Sequence, residues 1–427
     1  MSKTIWFWNH YATEMFFQQG GRHHWFAKYL KRMDYKVKIF CASTQHGRDD
    51  DIQLEGALYK EDISEDIDYV FVKVRAYKGN GISRILNMMS FYHNVQKAAK
   101  KIAQRDGVPD VILASSVHPL TLIAGIRFGK KYKIPCICEV RDLWPESIVA
   151  YSEKLSKKNL FVKFLYRGER WIYERADALI FTMEGGKDYI IEQGWDQVSG
   201  GKIDLNKVHY INNGVDLESY YHNLQQYDYP DPDLDNTSLF KVVYTGSIRR
   251  VNNLNPLVSV AEKLMELGSR DIRILIFGDG NQKTEIEECC KKKGLTNIVF
   301  KGHLEEKYIP AILSKSSIVI LHGSHQTEKV TKYGLSPNKL FKYFAAGKPV
   351  LSDIRVSQKY DLIRANEAGR TIIDYSTQGI CEGISYFETL REDAYERYCS
   401  NSLHVAEQFD FKYLTEVLKE IIENTAN

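Results

Sequence analysis

The sequence predicts an α/β protein built on two doubly wound parallel sheets. Three observations carry this reading. Apolar, β-rich runs alternate with amphipathic helical stretches almost from end to end. Several runs, such as Val111-Ile112-Leu113-Ala114 and Ile134-Pro135-Cys136-Ile137-Cys138, are apolar almost without a break, as suits strands buried on both faces. The alternation halts at 216–239, a stretch with Tyr227-Asp228-Tyr229-Pro230-Asp231-Pro232-Asp233 and no apolar period, and then resumes.

The strand candidates before the break are 3–8, 35–41, 69–74, 110–115, 134–140, 178–182 and 208–211. Helical stretches at 22–33, 84–104, 119–131 and 156–175 lie between them. After the break, strands are expected near 240–245, 272–277, 297–301, 317–321 and 348–352. A last helix over 411–424 carries Leu414, Val417, Leu418, Ile421 and Ile422 at helical spacing. The expected organisation is a Rossmann-like domain over 1–215, a linker over 216–239 and a second such domain over 240–410. Ligands of such sheets sit at the carboxyl ends of the strands, here in a central cleft.

The chain has 427 residues, 44% of them hydrophobic and 26% charged, an ordinary globular mix. With 58 Lys+Arg against 55 Asp+Glu, the net charge of +3 argues against a dedicated nucleic-acid binder. No apolar run reaches a membrane span, and the apolar stretch near Met1 is too short for a signal peptide. Seven Cys without CxxC spacing suit a reduced, cytoplasmic setting.

The second half holds an anion-site pattern. Ser336 reads as an N-cap, Pro337 as the first helical residue, Gly347 as the stop and Pro349 as a block, giving a helix over 337–346. Asn338 and Lys339 fall in its first turn. A cation there opposes the helix dipole, and a bound anion would relieve the conflict. Gly246-Ser247-Ile248-Arg249-Arg250 follows a strand and offers two guanidinium groups suited to phosphate, unless it is a solvated basic loop. Gly278-Asp279-Gly280 also follows a strand. Lys283 stands where a dinucleotide fingerprint needs its third glycine, which disfavours NAD.

In the first half, Gly20 and Gly21 permit close backbone approach to a ligand. Arg22 and His23 then either contact a ligand phosphate or form a polar helix start. Arg141 and Asp142 follow the strand 134–140. Asp142 is a candidate for orienting a ligand hydroxyl or stabilising positive charge, against a plain capping role. His118 follows another strand and is either catalytic or packed. Asp66-Ile67-Asp68 and Asp231-Pro232-Asp233 lie at positions unsuited to a metal site, so no metal is expected. The basic, aromatic stretch 156–173 suits either an anionic membrane surface or a core-facing helix.

In order and spacing, Asn213-Gly214-Val215-Asp216, the Gly246 loop, Gly278-Asp279-Gly280 and Ala345-Ala346-Gly347-Lys348-Pro349-Val350 resemble the family-4 retaining glycosyltransferases. Gly20-Gly21 is similar to that family's acceptor-side loop. Glu139-Val140-Arg141-Asp142-Leu143-Trp144-Pro145-Glu146 and Ser336-Pro337-Asn338-Lys339 resemble a branch that builds bacterial surface polysaccharides such as O-antigen or capsule, amino-sugar transferases included. The resemblance spans nearly the whole chain. It implies the GT-B fold, a nucleotide-sugar donor on the second domain, a lipid-linked or glycan acceptor on the first, and a last helix that crosses back. It also implies a donor-sugar contact for a His near His118. Gly334 and Lys342 stand where the family has Glu, Ser247 where it has Arg and Asn252 where it has Lys. Lys342 is therefore expected to meet a donor phosphate or a neighbouring acid instead of ribose. A 2-epimerase and a degenerate, non-catalytic binder are the alternatives.

Overall fold

The computed structural model describes residues 2–426 apart from 46–50, 78, 80, 117, 153–154, 251 and 324–327. The chain forms two compact units, residues 1–212 with 411–427, and residues 213–410.

The first unit is built on β1 (Thr4–Trp8), β2 (Lys36–Ala42), β3 (Tyr59–Ser64), β4 (Ile67–Val72), β5 (Val111–Ser116), β6 (Cys136–Val140), β7 (Ala178–Phe181) and β8 (Val208–Tyr210). Their order is β3-β4-β2-β1-β5-β6-β7-β8. All neighbours are parallel except β3, which runs antiparallel to β4 at the edge. Sequence reading misses β3, because Tyr-Lys-Glu-Asp-Ile-Ser has no clear apolar alternation. β1, β5 and β6 are buried along almost their whole length, as their unbroken apolar runs require.

The final helix, Phe411–Ala426, belongs to this unit and packs on the helix Arg22–Arg32, with Phe26 and Phe411 edge to face at 5.3 Å. The strand order reverses between β1 and β5. Ligands bind at such a switch point, and here His10 follows one strand and His118 the other.

The second unit holds β9 (Phe240–Thr245), β10 (Ile272–Phe277), β11 (Ile298–Gly302), β12 (Ile318–Leu321), β13 (Val350–Ser352) and β14 (Gly369–Thr371). Its order, β11-β10-β9-β12-β13-β14, is parallel throughout and is the dinucleotide-fold order with its switch point between β9 and β12. Segment 216–239 is not a free linker. Asp216 caps a helix over Leu217–Gln226 by accepting from the Ser219 N–H. Further on, Asp231 and Asp233 pair with Lys301, and Asp228 and Asp235 with Lys315. The acids that leave the segment without an apolar period are what tie it to the second sheet. The unit boundary falls at 212/213 because Val215 donates its N–H to the Phe409 carbonyl.

One buried charge organises the carboxyl ends of the first sheet. Glu139, on β6, is fully buried. It accepts from Arg22 Nε at 2.7 Å and Ser115 Oγ at 2.7 Å, and His23 Nε2 lies 3.0 Å away. Arg22 also donates to the carbonyls of Ile211 and Asn212. Burial alone would push the Glu139 carboxyl up, but the neighbouring charges of Arg22 and His23 hold it well below the usual range. We expect Glu139→Gln to cost about 3–5 kcal/mol in urea unfolding, since it strands a buried guanidinium. A carboxyl depressed in the folded state adds stability above its unfolded pKa. That stability is lost as pH falls towards the folded value, so the gap between wild type and Glu139→Gln should narrow in acid.

Candidate functional site

In the second unit, the site forms where the loops after β9 and β10 meet the helix Asn338–Ala345. Gly246 has φ 141° and donates its N–H to the Phe277 carbonyl. A Cβ at Gly278 would fall 1.8 Å from the Gly246 carbonyl oxygen, and one at Gly280 2.2 Å from that of Ile248. Gly278 and Gly280 thus serve backbone-to-backbone packing of two loops, a reason for glycine that their reading as donor contacts does not include. Ser247 accepts from Asn252 Nδ2 through its carbonyl at 2.6 Å and through its hydroxyl at 2.8 Å. The two departures from the family pattern therefore bind each other.

The helix opens one residue later than expected, with Pro337 at the cap position and no side-chain cap. Ser336 does not cap it; its carbonyl accepts from Asn213 Nδ2 at 2.7 Å. Gly347, at φ 62°, ends it as expected. Leu340, Phe341, Tyr343 and Phe344 are buried, and Tyr343 Oη receives the Thr245 N–H at 2.9 Å. This bond, invisible in the sequence, fixes the helix to the last residue of β9.

One turn earlier, Lys339 Nζ lies 4.0 Å from the Tyr244 ring centroid, against Gly246. The ammonium is buried and has no hydrogen-bond partner among the described residues. Burial pushes it down to about 7. A cation without an anion, at a helix start beside a glycine loop, is the arrangement that a phosphate completes. A Cβ on Gly246 would come within 2.6 Å of Nζ, which explains that glycine.

Arg249 and Arg250 are exposed, and neither makes an ion pair with another described residue. Asn338, which precedes Lys339 in the chain, is exposed. The arginine loop is held by His322, at the end of β12. Its Nε2 donates to the Asn253 carbonyl at 2.7 Å, and its Nδ1 meets Asp353 Oδ2 at 2.6 Å. A carbonyl only accepts, so Nε2 must carry a proton. Sequence reading missed His322 and Asp353, although each directly follows a strand at its carboxyl end. Lys342 pairs with Glu306, so of the two partners considered for it the structure supplies the acid.

In the first unit, His10 Nδ1 and His118 Nε2 are 2.6 Å apart at the switch point, and His10 stacks on Phe91. Both histidines are fully buried. Burial, then the charge of Arg84, lowers His118 to about 3, so it is neutral at ordinary pH. Arg141 donates its N–H to Ser116 Oγ at 3.0 Å, joining the ends of β5 and β6. Asp142 is exposed and does not cap the next helix, whose cap residue is Leu143.

Arg22 and His23 are buried with Glu139, which corrects their reading as acceptor contacts. The apolar strand 134–140 held the signal: a Glu inside it needs a buried cation. Gly21 has φ 103° at the cap of Arg22–Arg32, and Gly20 packs against Trp25. Among the described residues, no group of three or more His, Cys, Asp or Glu could hold a metal ion.

Residues 24–219 match the family described as Glycosyltransferase Family 4, and residues 230–402 that described as Glycosyl transferases group 1. Solved structures share the fold. The Anabaena protein HepE in complex with UDP and glucose has 14% identity, a TM-score of 0.64, and coverage of 99% of this chain and 100% of its own. WaaG, a glycosyltransferase involved in lipopolysaccharide biosynthesis, has 13% identity, a TM-score of 0.63 and coverage of 98% and 99%. A UDP-forming trehalose-phosphate synthase from Burkholderia xenovorans has 10% identity, a TM-score of 0.70 and coverage of 100% of both chains. No curated protein sequence matches the chain.

The depressed Lys339 gives a signed prediction. In the empty site the ammonium loses its proton above about 7, and a bound diphosphate restores it. Nucleotide-diphosphate binding at about pH 8 should therefore take up a proton, and affinity should fall as pH rises. Calorimetry in two buffers of different ionisation heat measures both effects. Lys339→Met should abolish the proton uptake and weaken binding by about 1–3 kcal/mol, while leaving the free chain more stable at neutral pH.

Proposed function

Because the chain belongs to the family-4 glycosyltransferases and has the GT-B fold, we propose that it is a retaining, metal-independent transferase of bacterial surface-polysaccharide synthesis. It moves a sugar, of the N-acetylated amino-sugar class, from a nucleoside diphosphate to a lipid-linked or glycan acceptor in the cytoplasm. The observation that carries the reading is the buried Lys339 ammonium without a partner. Diphosphate is the leaving group of such a transfer, and its departing charge is what the enzyme must stabilise. Lys339 meets that charge from a fixed position. Arg249 and Arg250 add flexible guanidinium groups from the loop that His322 holds.

The acceptor belongs to the first unit. There the His10–His118 pair, Arg141 and Asp142 gather at the carboxyl ends of β1, β5 and β6. HepE is described with UDP-glucose, so UDP sugars are the first donors to test. Among the described residues, no helix is long and apolar enough to cross a membrane.

A panel of nucleotide sugars, with and without lipid-linked or free glycan acceptors, tests the reading. Product that appears only with acceptor supports it. Conversion of the donor without acceptor favours an epimerase, and no consumption under any condition favours a binder. Turnover should persist in chelator without added magnesium or manganese. Lys342→Glu sets a second carboxylate against Glu306, and we expect donor affinity to fall by about twofold or more. A gain would mean that a carboxylate at this position serves the donor better than the existing ion pair.

A further inference from the structure

Glu169 is another buried carboxyl of the first unit, and it is held unlike Glu139. It lies on the helix Leu160–Arg175 and is 7% exposed. Its two oxygens accept from Tyr173 Oη at 2.8 Å and from Tyr189 Oη at 2.5 Å. Trp195 packs on both tyrosines, with ring centroids 6.0 and 5.9 Å away. Among the described residues, no Lys, Arg or His forms an ion pair with it.

A second acid stands beside it. Glu146, in the first turn of the helix Trp144–Tyr151, is 3% exposed. Lys157 pairs with Glu146 and lies 5.3 Å from the Tyr166 ring centroid, and Gln193 Nε2 donates to the same carboxylate at 3.4 Å. The cluster thus has two acids and one ammonium, and the ammonium is committed to Glu146. An ionised Glu169 would be a buried charge held by hydroxyls alone, with a like charge for a neighbour. Burial above all, and then Glu146, push its carboxyl from the ordinary 4.5 up to about 7, against the pull of both tyrosines and Lys157.

The charged and titratable groups facing Glu169 are Tyr173 on its own helix, Tyr189 on Gly186–Glu192, Glu146 on Trp144–Tyr151 and Lys157. Cys138 on β6 acts on Tyr173, and Tyr166 on Tyr189. The helix Pro119–Tyr132 also packs on Leu160–Arg175, but it sends Arg127 to Tyr92 and leaves Lys130 and Lys131 exposed.

We propose that Glu169 is a proton latch for the helix Trp144–Tyr151, holding it while the carboxyl is neutral and loosening it when the carboxyl ionises. That helix packs on Leu160–Arg175 and begins two residues after Asp142, at the carboxyl end of β6. Ionised Glu169 repels Glu146 and competes with it for Lys157, and displacing the helix lets water reach the charge. The latch requires no donor or acceptor, so it stands apart from the transferase reading. Its sign follows from linkage. The closed state keeps the proton up to about 7 and the opened state loses it in the ordinary carboxylate range, so opening releases a proton. Opening therefore becomes more frequent as pH rises from about 5 to about 7, and levels off above.

The test is hydrogen exchange of the full chain at pH 5.5, 6.5 and 7.5, comparing wild type with Glu169→Gln. The amide cannot ionise, yet its carbonyl oxygen still accepts from a tyrosine. The ratio of the two rates cancels the intrinsic pH dependence of exchange. In peptides covering 144–151, we expect that ratio to rise by about tenfold or more between pH 5.5 and 7.5. It should stay constant in peptides from the helix Ile82–Asp106. A constant ratio over 144–151 overturns the proposal, and so does a rise shared by every helix of the unit, which would make Glu169 a group of global stability. Tyr189→Phe keeps the test open if Glu169→Gln does not fold. It removes a bond that favours the ionised carboxyl, so the rise in exchange should move to higher pH, and an unmoved rise overturns the proposal.

Discussion

Both sheets bury charge at their carboxyl ends, and desolvation of that charge is the constraint on which the rest of the structure depends. In the first unit the charge is satisfied internally. Glu139 draws in Arg22 and His23, and Arg22 reaches two backbone carbonyls beyond β8. That network joins the helix start at Gly21 to β5, β6 and the end of the domain, so it is scaffold. In the second unit Asp353 is paired with His322, but the Lys339 ammonium is buried with no hydrogen-bond partner among the described residues. Taking an ammonium out of water without a partner is unfavourable by several kcal/mol unless the proton leaves or an anion arrives. The first unit closes its buried charge internally, and the second leaves one buried ammonium without a hydrogen-bond partner among the described residues.

What was legible in the sequence follows from how local its cause is. The helix ending at Gly347 was readable because glycine and proline punctuate through their own backbones. Lys339 stood out because a cation in a first turn conflicts with the dipole of the same helix. The unbroken apolar runs gave the parallel sheets. The missed features are those that need a partner distant in the chain. Tyr343 matters only because Thr245 lies under it, and His322 only because Asp353 and Asn253 flank it. Arg22 and His23 look like a polar helix start in isolation, and become scaffold once Glu139 is known to be buried. Segment 216–239 misled for the same reason, since its aspartates are paired with lysines more than 65 residues away.

The exchange at Lys342 shows the same logic at the scale of one ion pair. The pair with Glu306 is largely exposed and adds little stability. Its effect is geometric. It holds a carboxylate beside the helix whose preceding turn carries Lys339. A lysine on the helix and an acid on the neighbouring segment thus keep a carboxylate beside a helix that carries none of its own.

The chemistry then divides between the units by protonation state. His118, depressed to about 3 by burial and Arg84, cannot serve as a proton donor of imidazolium type at ordinary pH. It can only accept or donate a neutral hydrogen bond, and His10 takes one of its two nitrogens. A neutral His118 is a poor source of charge for the departing diphosphate of the proposed transfer. On the proposed function, charge stabilisation falls to the second unit, where a bound diphosphate would return to Lys339 the proton that burial removes. The group that stabilises the departing anion would then be charged by that anion.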